Sequence, residues 1–153
     1  VNLRPSDHFS WEEFTCHDGT EVPLEYRGNV ERLCQDVLEP LRSRYGGALI
    51  PVCGYRTVYH NFAVGGAPHS QHLTASAADI RPVEMVLLPR LRAVVEEMLA
   101  EGALGALGGL GWYPGQWVHV DIRPRANGAV VRWIGKGMGS EDNTGARPTQ
   151  EIL

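Results

Sequence analysis

Trp117-Val118-His119-Val120-Asp121-Ile122-Arg123 alternates apolar and polar residues without a break. On a strand, Val118, Val120 and Ile122 point to one face, and Trp117, His119, Asp121 and Arg123 to the other. The Val and Ile face is the natural core side. The opposite face lines up an imidazole, a carboxylate and a guanidinium beside an indole. That is more chemistry than a strand needs merely to meet water.

Residues 76–81 repeat the pattern more weakly. Ala78 and Ile80 share one face of a strand, while Ala77, Asp79 and Arg81 share the other. Asp79 thus lies in an otherwise apolar strand, where a carboxylate is costly unless paired or bound to a metal. An ion pair with Arg81 or Arg56 would account for it. Residues 48–53 and 108–113, 117–123 and 130–134 also read as strands, the last three separated by Pro/Gly turns. Their short connections favour antiparallel pairing.

Helices fill the intervals. Ser10-Trp11-Glu12-Glu13 is a capping box and starts a short helix. Residues 25–44 place Val30, Leu33, Cys34, Val37, Leu38 and Leu41 on one stripe. Pro40 interrupts it and is expected to kink the last turns; Gly46-Gly47 ends it. Residues 84–101 form a third helix that buries Val86, Leu87, Leu91, Val94, Val95, Met98 and Leu99. Residues 55–70 have no clean period and read as a long loop with one helical turn. The order of elements gives an α+β fold, with helices packed on one face of a small antiparallel sheet.

The chain has 153 residues, with 43% apolar and 21% charged, which suits one domain with one core. The domain is expected over residues 1–135; residues 136–153, rich in Gly, Ser, Asp, Asn, Thr and Pro, read as a flexible tail. A net charge of −4 with no Lys/Arg block argues against nucleic acid as a partner. No apolar run reaches membrane-spanning length, and the first residues do not read as a signal peptide. The three cysteines, Cys16, Cys34 and Cys53, form no Cys-x-x-Cys pair, which argues against a thiolate zinc site. They allow at most one internal disulfide.

His72 stands seven residues before Asp79, in Ser70-Gln71-His72-Leu73. A loop histidine by itself is usually only solvated. Two histidines and one aspartate on separate elements, however, meet the needs of a catalytic zinc: three N or O ligands and an open position for water. His-x6-Asp alone is a weak motif; joined to His-x-Asp on a later strand it is far more specific.

With these motifs the chain resembles the zinc D-alanyl-D-alanine carboxypeptidases and related murein endopeptidases, whose fold is shared with the hedgehog signalling domain. The segments that carry the resemblance are Cys53-Gly54-Tyr55-Arg56, the loop from Asn61 to Gly66, the run from Ser70 to Asp79, and Trp117-Val118-His119-Val120-Asp121. It extends over residues 9–133. It implies a zinc ion held by His72, Asp79 and His119. It makes Arg56 the group that binds a substrate carboxylate or carbonyl oxygen, a role suited to a planar fork of donors. Asn61 and Ser70, within the segments that carry the resemblance, are candidates to contact substrate, and Trp117, on the site-facing side of its strand, is a candidate cleft wall. The partner implied is the stem peptide of peptidoglycan, met by a monomer in the periplasm, outside the cell, or on release of a phage enzyme to the wall.

Three positions depart from the family pattern. Cys53 replaces a Ser, with an effect expected on packing only. Ala75 replaces a Gly, so positive φ is not expected there. Gln116 stands where many relatives carry a Glu or Asp as general base, three residues before the last zinc ligand. Asp121, on the same strand face as His119, is then either the base, which is the reading preferred here, or a support that orients a ligand. The alternative to an enzyme is a catalytically impaired, zinc-bearing module that binds peptidoglycan. Of the remaining residues, His8 and His17 read as solvated. His60 and His69 read as exposed but near the site, and Trp112 and Tyr113 as core.

Overall fold

The structure, a computed structural model, describes residues 2–136. Apart from Lys136, the expected tail lies outside the described residues.

Five strands form one sheet: β1 (Leu49–Cys53), β2 (Ala77–Pro82), β3 (Gly109–Tyr113), β4 (Trp117–Asp121) and β5 (Val131–Ile134), in the order β1-β2-β4-β3-β5. The neighbouring pairs β1–β2, β2–β4 and β3–β4 are antiparallel, β3 and β4 as their short connection led us to expect. β5 departs from that expectation and runs parallel to β3. The cause is topological. Both edges of β4 are taken, by β2 and β3, so β5 cannot pair with the strand before it and adds to the free edge of β3. The loop after β4 reverses the chain, which leaves β5 pointing the same way as β3.

The alternation read from β4 holds. Val118, Val120 and Ile122 are buried in the core together with Ala78, Ile80 and Leu110. Against this face pack the helices α1 (Leu24–Leu33), α2 (Glu39–Tyr45) and α4 (Leu88–Ala100), leaving the other face to the polar row. All six residues of the expected stripe from Val30 to Leu41 are fully buried. Between α1 and α2 the helix widens into a π-turn, Cys34–Leu38, where the Glu39 N–H donates to the Cys34 carbonyl. Pro40 explains it. Its ring crowds the carbonyl four residues back, and a wider turn makes room without breaking the helix.

The third helix starts later than its pattern suggests. Residues Met85–Leu87 form a 3-10 turn, and α4 follows with Pro89 in its first turn. At three residues per turn the register shifts. Val86, expected inside, is exposed, and Leu88 is buried in its place. Leu91, Val94, Val95 and Met98 are buried as expected. The capping box at Ser10 is present, the Ser10 N–H donating to Glu13 at 2.8 Å, but it opens only the 3-10 turn Trp11–Phe14.

Candidate metal centre

Two of the expected ligands meet through sheet register. β2 and β4 pair with Asp79 opposite His119, so both side chains stand on the face away from the helices. The third comes from the 3-10 turn Gln71–Thr74, just before β2. Ser70 caps that turn: its hydroxyl accepts the His72 N–H at 3.2 Å. The turn closes with the Ala75 N–H donating to the His72 carbonyl and the Ser76 N–H to the Gln71 carbonyl. This reversal needs left-handed backbone, and Ala75 adopts φ 54°, ψ 32°. The expectation that Ala75 avoids positive φ is therefore overturned; the turn imposes the conformation at a cost of about 1–2 kcal/mol.

His72, Asp79 and His119 are all buried. The His72 Nε2 lies 3.4 Å from Asp79 Oδ2, and the His119 Nδ1 lies 2.9 Å from Asp79 Oδ1. His72 Nδ1 donates to the Gly54 carbonyl at 2.6 Å, which turns its Nε2 lone pair toward Asp79. His119 has a carboxylate oxygen at each ring nitrogen, Asp121 Oδ2 at 2.8 Å from Nε2 and Asp79 Oδ1 at 2.9 Å from Nδ1. When Nε2 carries the proton, both inner nitrogens face Asp79 with lone pairs. Such an arrangement needs a cation at its centre, either protons or a metal ion, and the N and O donors suit a divalent metal.

The charges follow this geometry. Burial would lower the His72 imidazolium, but the Asp79 charge outweighs it and holds His72 well above its ordinary value. Burial would raise Asp79, yet His72 and His119 hold it well below the usual carboxylate range. Asp121 behaves likewise: burial is outweighed by hydrogen bonds from His119 and Arg123.

Asp121 does not face open cleft. It is fully buried behind His119, and Arg123 grips it with Nε to Oδ1 at 2.9 Å and Nη2 to Oδ2 at 2.7 Å. The Arg123 backbone N–H adds a third donor at 3.1 Å. This geometry orients His119 and leaves the carboxylate no lone pair aimed at the metal cradle. Two glycines of β3 make the space. Gly109 pairs with Asp121, and a Cβ there would lie 2.2 Å from Asp121 Oδ2. Gly111 pairs with His119, and a Cβ there would lie 2.6 Å from the indole of Trp133. Trp133 reaches in from β5, its ring centroid 4.9 Å from that of His119 and 5.2 Å from the Arg123 guanidinium.

Arg56 follows β1 and reaches the centre, its Nη2 3.8 Å from Asp79 Oδ2. Arg81 instead turns to the Pro82 carbonyl. Asn61 is buried on the helix α3 (Val58–Ala63). Its Oδ1 accepts from Arg56 at 3.4 Å and its Nδ2 donates to the Ala67 carbonyl at 3.0 Å. Asn61 thus braces Arg56 from within the loop, as Ser70 braces His72. Trp117 is half-buried beside Tyr113, with ring centroids 5.4 Å apart. Gln116 turns away and donates to the Lys136 carbonyl at 2.9 Å. His69 is exposed; His60 packs edge-on against His17 rather than entering the centre.

Cys53 has more than a packing role. β1 carries a bulge between Pro51 and Cys53, which brings Cys53 opposite Asp79. Its Sγ lies 3.6 Å from His72 Nδ1, and Cys53, His72 and Asp79 each offer a ligand atom within 4.8 Å of the others. All three cysteines are free. Sequence reasoning missed Trp133 and Tyr113. The signal was there: Gly109 and Gly111 alternate on one face of β3, and the next residue on that face is Tyr113.

A family profile described as Peptidase M15 matches residues 7–121. Comparison with curated proteins returns no match to the chain. No helix among the described residues is long and apolar enough to cross a membrane.

Proposed function

The chain belongs to the peptidase M15 family of metal-dependent peptidases, and on that premise we propose that it binds one zinc ion through His72, Asp79 and His119 and hydrolyses a peptide bond in the stem peptides of bacterial peptidoglycan. The bond is either a cross-bridge or a terminal D-Ala-D-Ala, cut at the wall by a monomer working in the periplasm, outside the cell, or after release as a phage enzyme. The observation that carries the reading is the convergence of two buried imidazole nitrogens on the Asp79 carboxylate.

Cys53 is the rival to His119 as third ligand. The Sγ approaches His72 from its Nδ1 side, where the Gly54 carbonyl already takes the proton. His119 approaches Asp79 on the side of the free lone pairs, which favours the His-Asp-His set. Zinc bound there supplies a Lewis acid and lowers the pKa of a bound water to about 7. Arg56 binds the substrate carboxylate or carbonyl oxygen through its planar fork, held by Asn61. Asp121 and Arg123 keep the His119 ring in the ligating tautomer. Neither Gln116 nor Asp121 is free to take a proton at the centre.

Incubating peptidoglycan with the zinc-loaded protein, followed by mass spectrometry of the soluble fragments, tests this. Release of cut stem peptides is expected, lost in His119→Ala and kept in Cys53→Ser. Zinc loss in Cys53→Ser with retention in His119→Ala would reverse the ligand assignment. A second reading, a binding module without turnover, is favoured by Gln116 pointing to Lys136. It predicts binding to peptidoglycan with no fragment released.

A further inference from the structure

We propose that Tyr113 is a catalytic residue, its phenol O–H donating to the carbonyl oxygen of the scissile peptide as that oxygen gains negative charge. The inference rests on the peptidase reading above. Its basis is the site face of β3. Gly109, Gly111 and Tyr113 stand opposite Asp121, His119 and Trp117 in register. The two glycines contribute no side chain, so Tyr113 is the one residue of β3 that projects over this face.

The hydrogen bonding of the phenol gives the direction of its proton. Trp133 Nε1–H donates to Tyr113 Oη at 3.0 Å. An indole nitrogen is only a donor, so the Tyr113 oxygen accepts there and its own hydrogen points elsewhere. Among the described residues nothing accepts it. The same Trp133 ring packs on His119, so one indole links Tyr113 Oη to the metal cradle. The Tyr113 ring is pinned between Trp117 and Gly135, where a Cβ would lie 2.1 Å from its Cε1. Burial, with Asp79 nearby, pushes the phenol above its ordinary value, so it remains a donor at neutral pH.

The chemistry follows. Water oxygen adds to the carbonyl carbon, and the C=O π pair moves onto oxygen. Tyr113 donates a hydrogen bond to that oxyanion and keeps its proton. On collapse the C–N bond breaks, and the leaving amine takes a proton that came from the water. An oxyanion accepts far more strongly than the ground-state carbonyl, so the bond accelerates the reaction rather than tightening substrate.

The test compares zinc-loaded wild type and Tyr113→Phe, which keeps the ring packing. The inference expects kcat to fall about 10²-fold, with KM and zinc content nearly unchanged. A phosphinate analogue of D-Ala-D-Ala, whose anionic oxygens imitate the tetrahedral species, should bind the Phe variant weaker in proportion. An active wild type with an equally active Phe variant overturns the inference alone, as does a loss that follows zinc content. A zinc-loaded wild type that neither cuts wall fragments nor binds the phosphinate overturns the peptidase reading itself, and this inference with it.

Discussion

Asp121 holds His119 by its Nε2 at 2.8 Å, so only Nδ1 is left for the side on which Asp79 stands. The carboxylate is in turn fixed by Arg123, forming a chain of three residues that ends at the metal cradle.

Asp121→Asn should therefore weaken metal binding before it affects chemistry. An amide can offer its NH2 to Nε2 and favour the wrong tautomer. Loss of such an outer partner costs about 10–100-fold in metal affinity. Metal titration by calorimetry checks this, and activity should return at high zinc. Full zinc occupancy with a turnover loss of about 10²–10⁴-fold would instead make Asp121 the general base.

Arg56→Lys should reduce kcat/KM while zinc content and fold persist. An ammonium keeps the charge but cannot reproduce the two parallel donors, and it cannot reach Asn61 and substrate together. Steady-state kinetics on wall fragments decides, since unchanged values would assign Arg56 to pairing with Asp79 alone.

Metal affinity should fall as the solution is acidified. In the metal-free protein His72 is held above its ordinary value by Asp79, so zinc must displace a proton from it. Below that raised value affinity drops about tenfold per pH unit for each proton displaced. Calorimetry in buffers of different ionisation enthalpy should register proton release. For stability the sign is set by the same shift. The His72 contribution in the metal-free fold is complete below about 6.5, the unfolded value, and fades as pH rises through the raised folded value. The Asp79 contribution is present above its ordinary value and lost as pH falls through its lowered one.

Gly111→Ala should destabilise the fold by about 1–3 kcal/mol through overpacking. Its Cβ would sit 2.6 Å from a rigid indole, so Trp133 must leave His119. Urea unfolding with tryptophan fluorescence measures both effects. An unchanged midpoint would mean that the β5 edge yields easily.

The polar row on β4 and the apolar stripe on the long helix were legible because strict periodicity leaves one way to bury each segment. The convergence of Asp79 and His119 was legible for the same reason, with the family resemblance joining His72 to the strands. What was not legible depended on contacts distant in sequence. Whether Asp121 faces the cleft or the Arg123 guanidinium cannot be seen in alternation, which gives a face but not its cover. Tyr113 looked like core because an aromatic beside a strand usually is; only its register with Trp117 puts it on the face that carries His119. Ala75 was misjudged because a turn closing on Gln71 and His72 outweighs the local preference of alanine.

Among the described residues β5 is joined to the sheet along one edge only, by four residues, yet it carries the ring that packs on His119. Edge strands open at lower free energy than the sheet they join. A transient detachment of β5 would lift Trp133 and expose the metal cradle while β1 to β4 stay paired. Exchange of the ion with solution is then governed by fraying of one short strand, so chelators should strip the protein much faster than it unfolds.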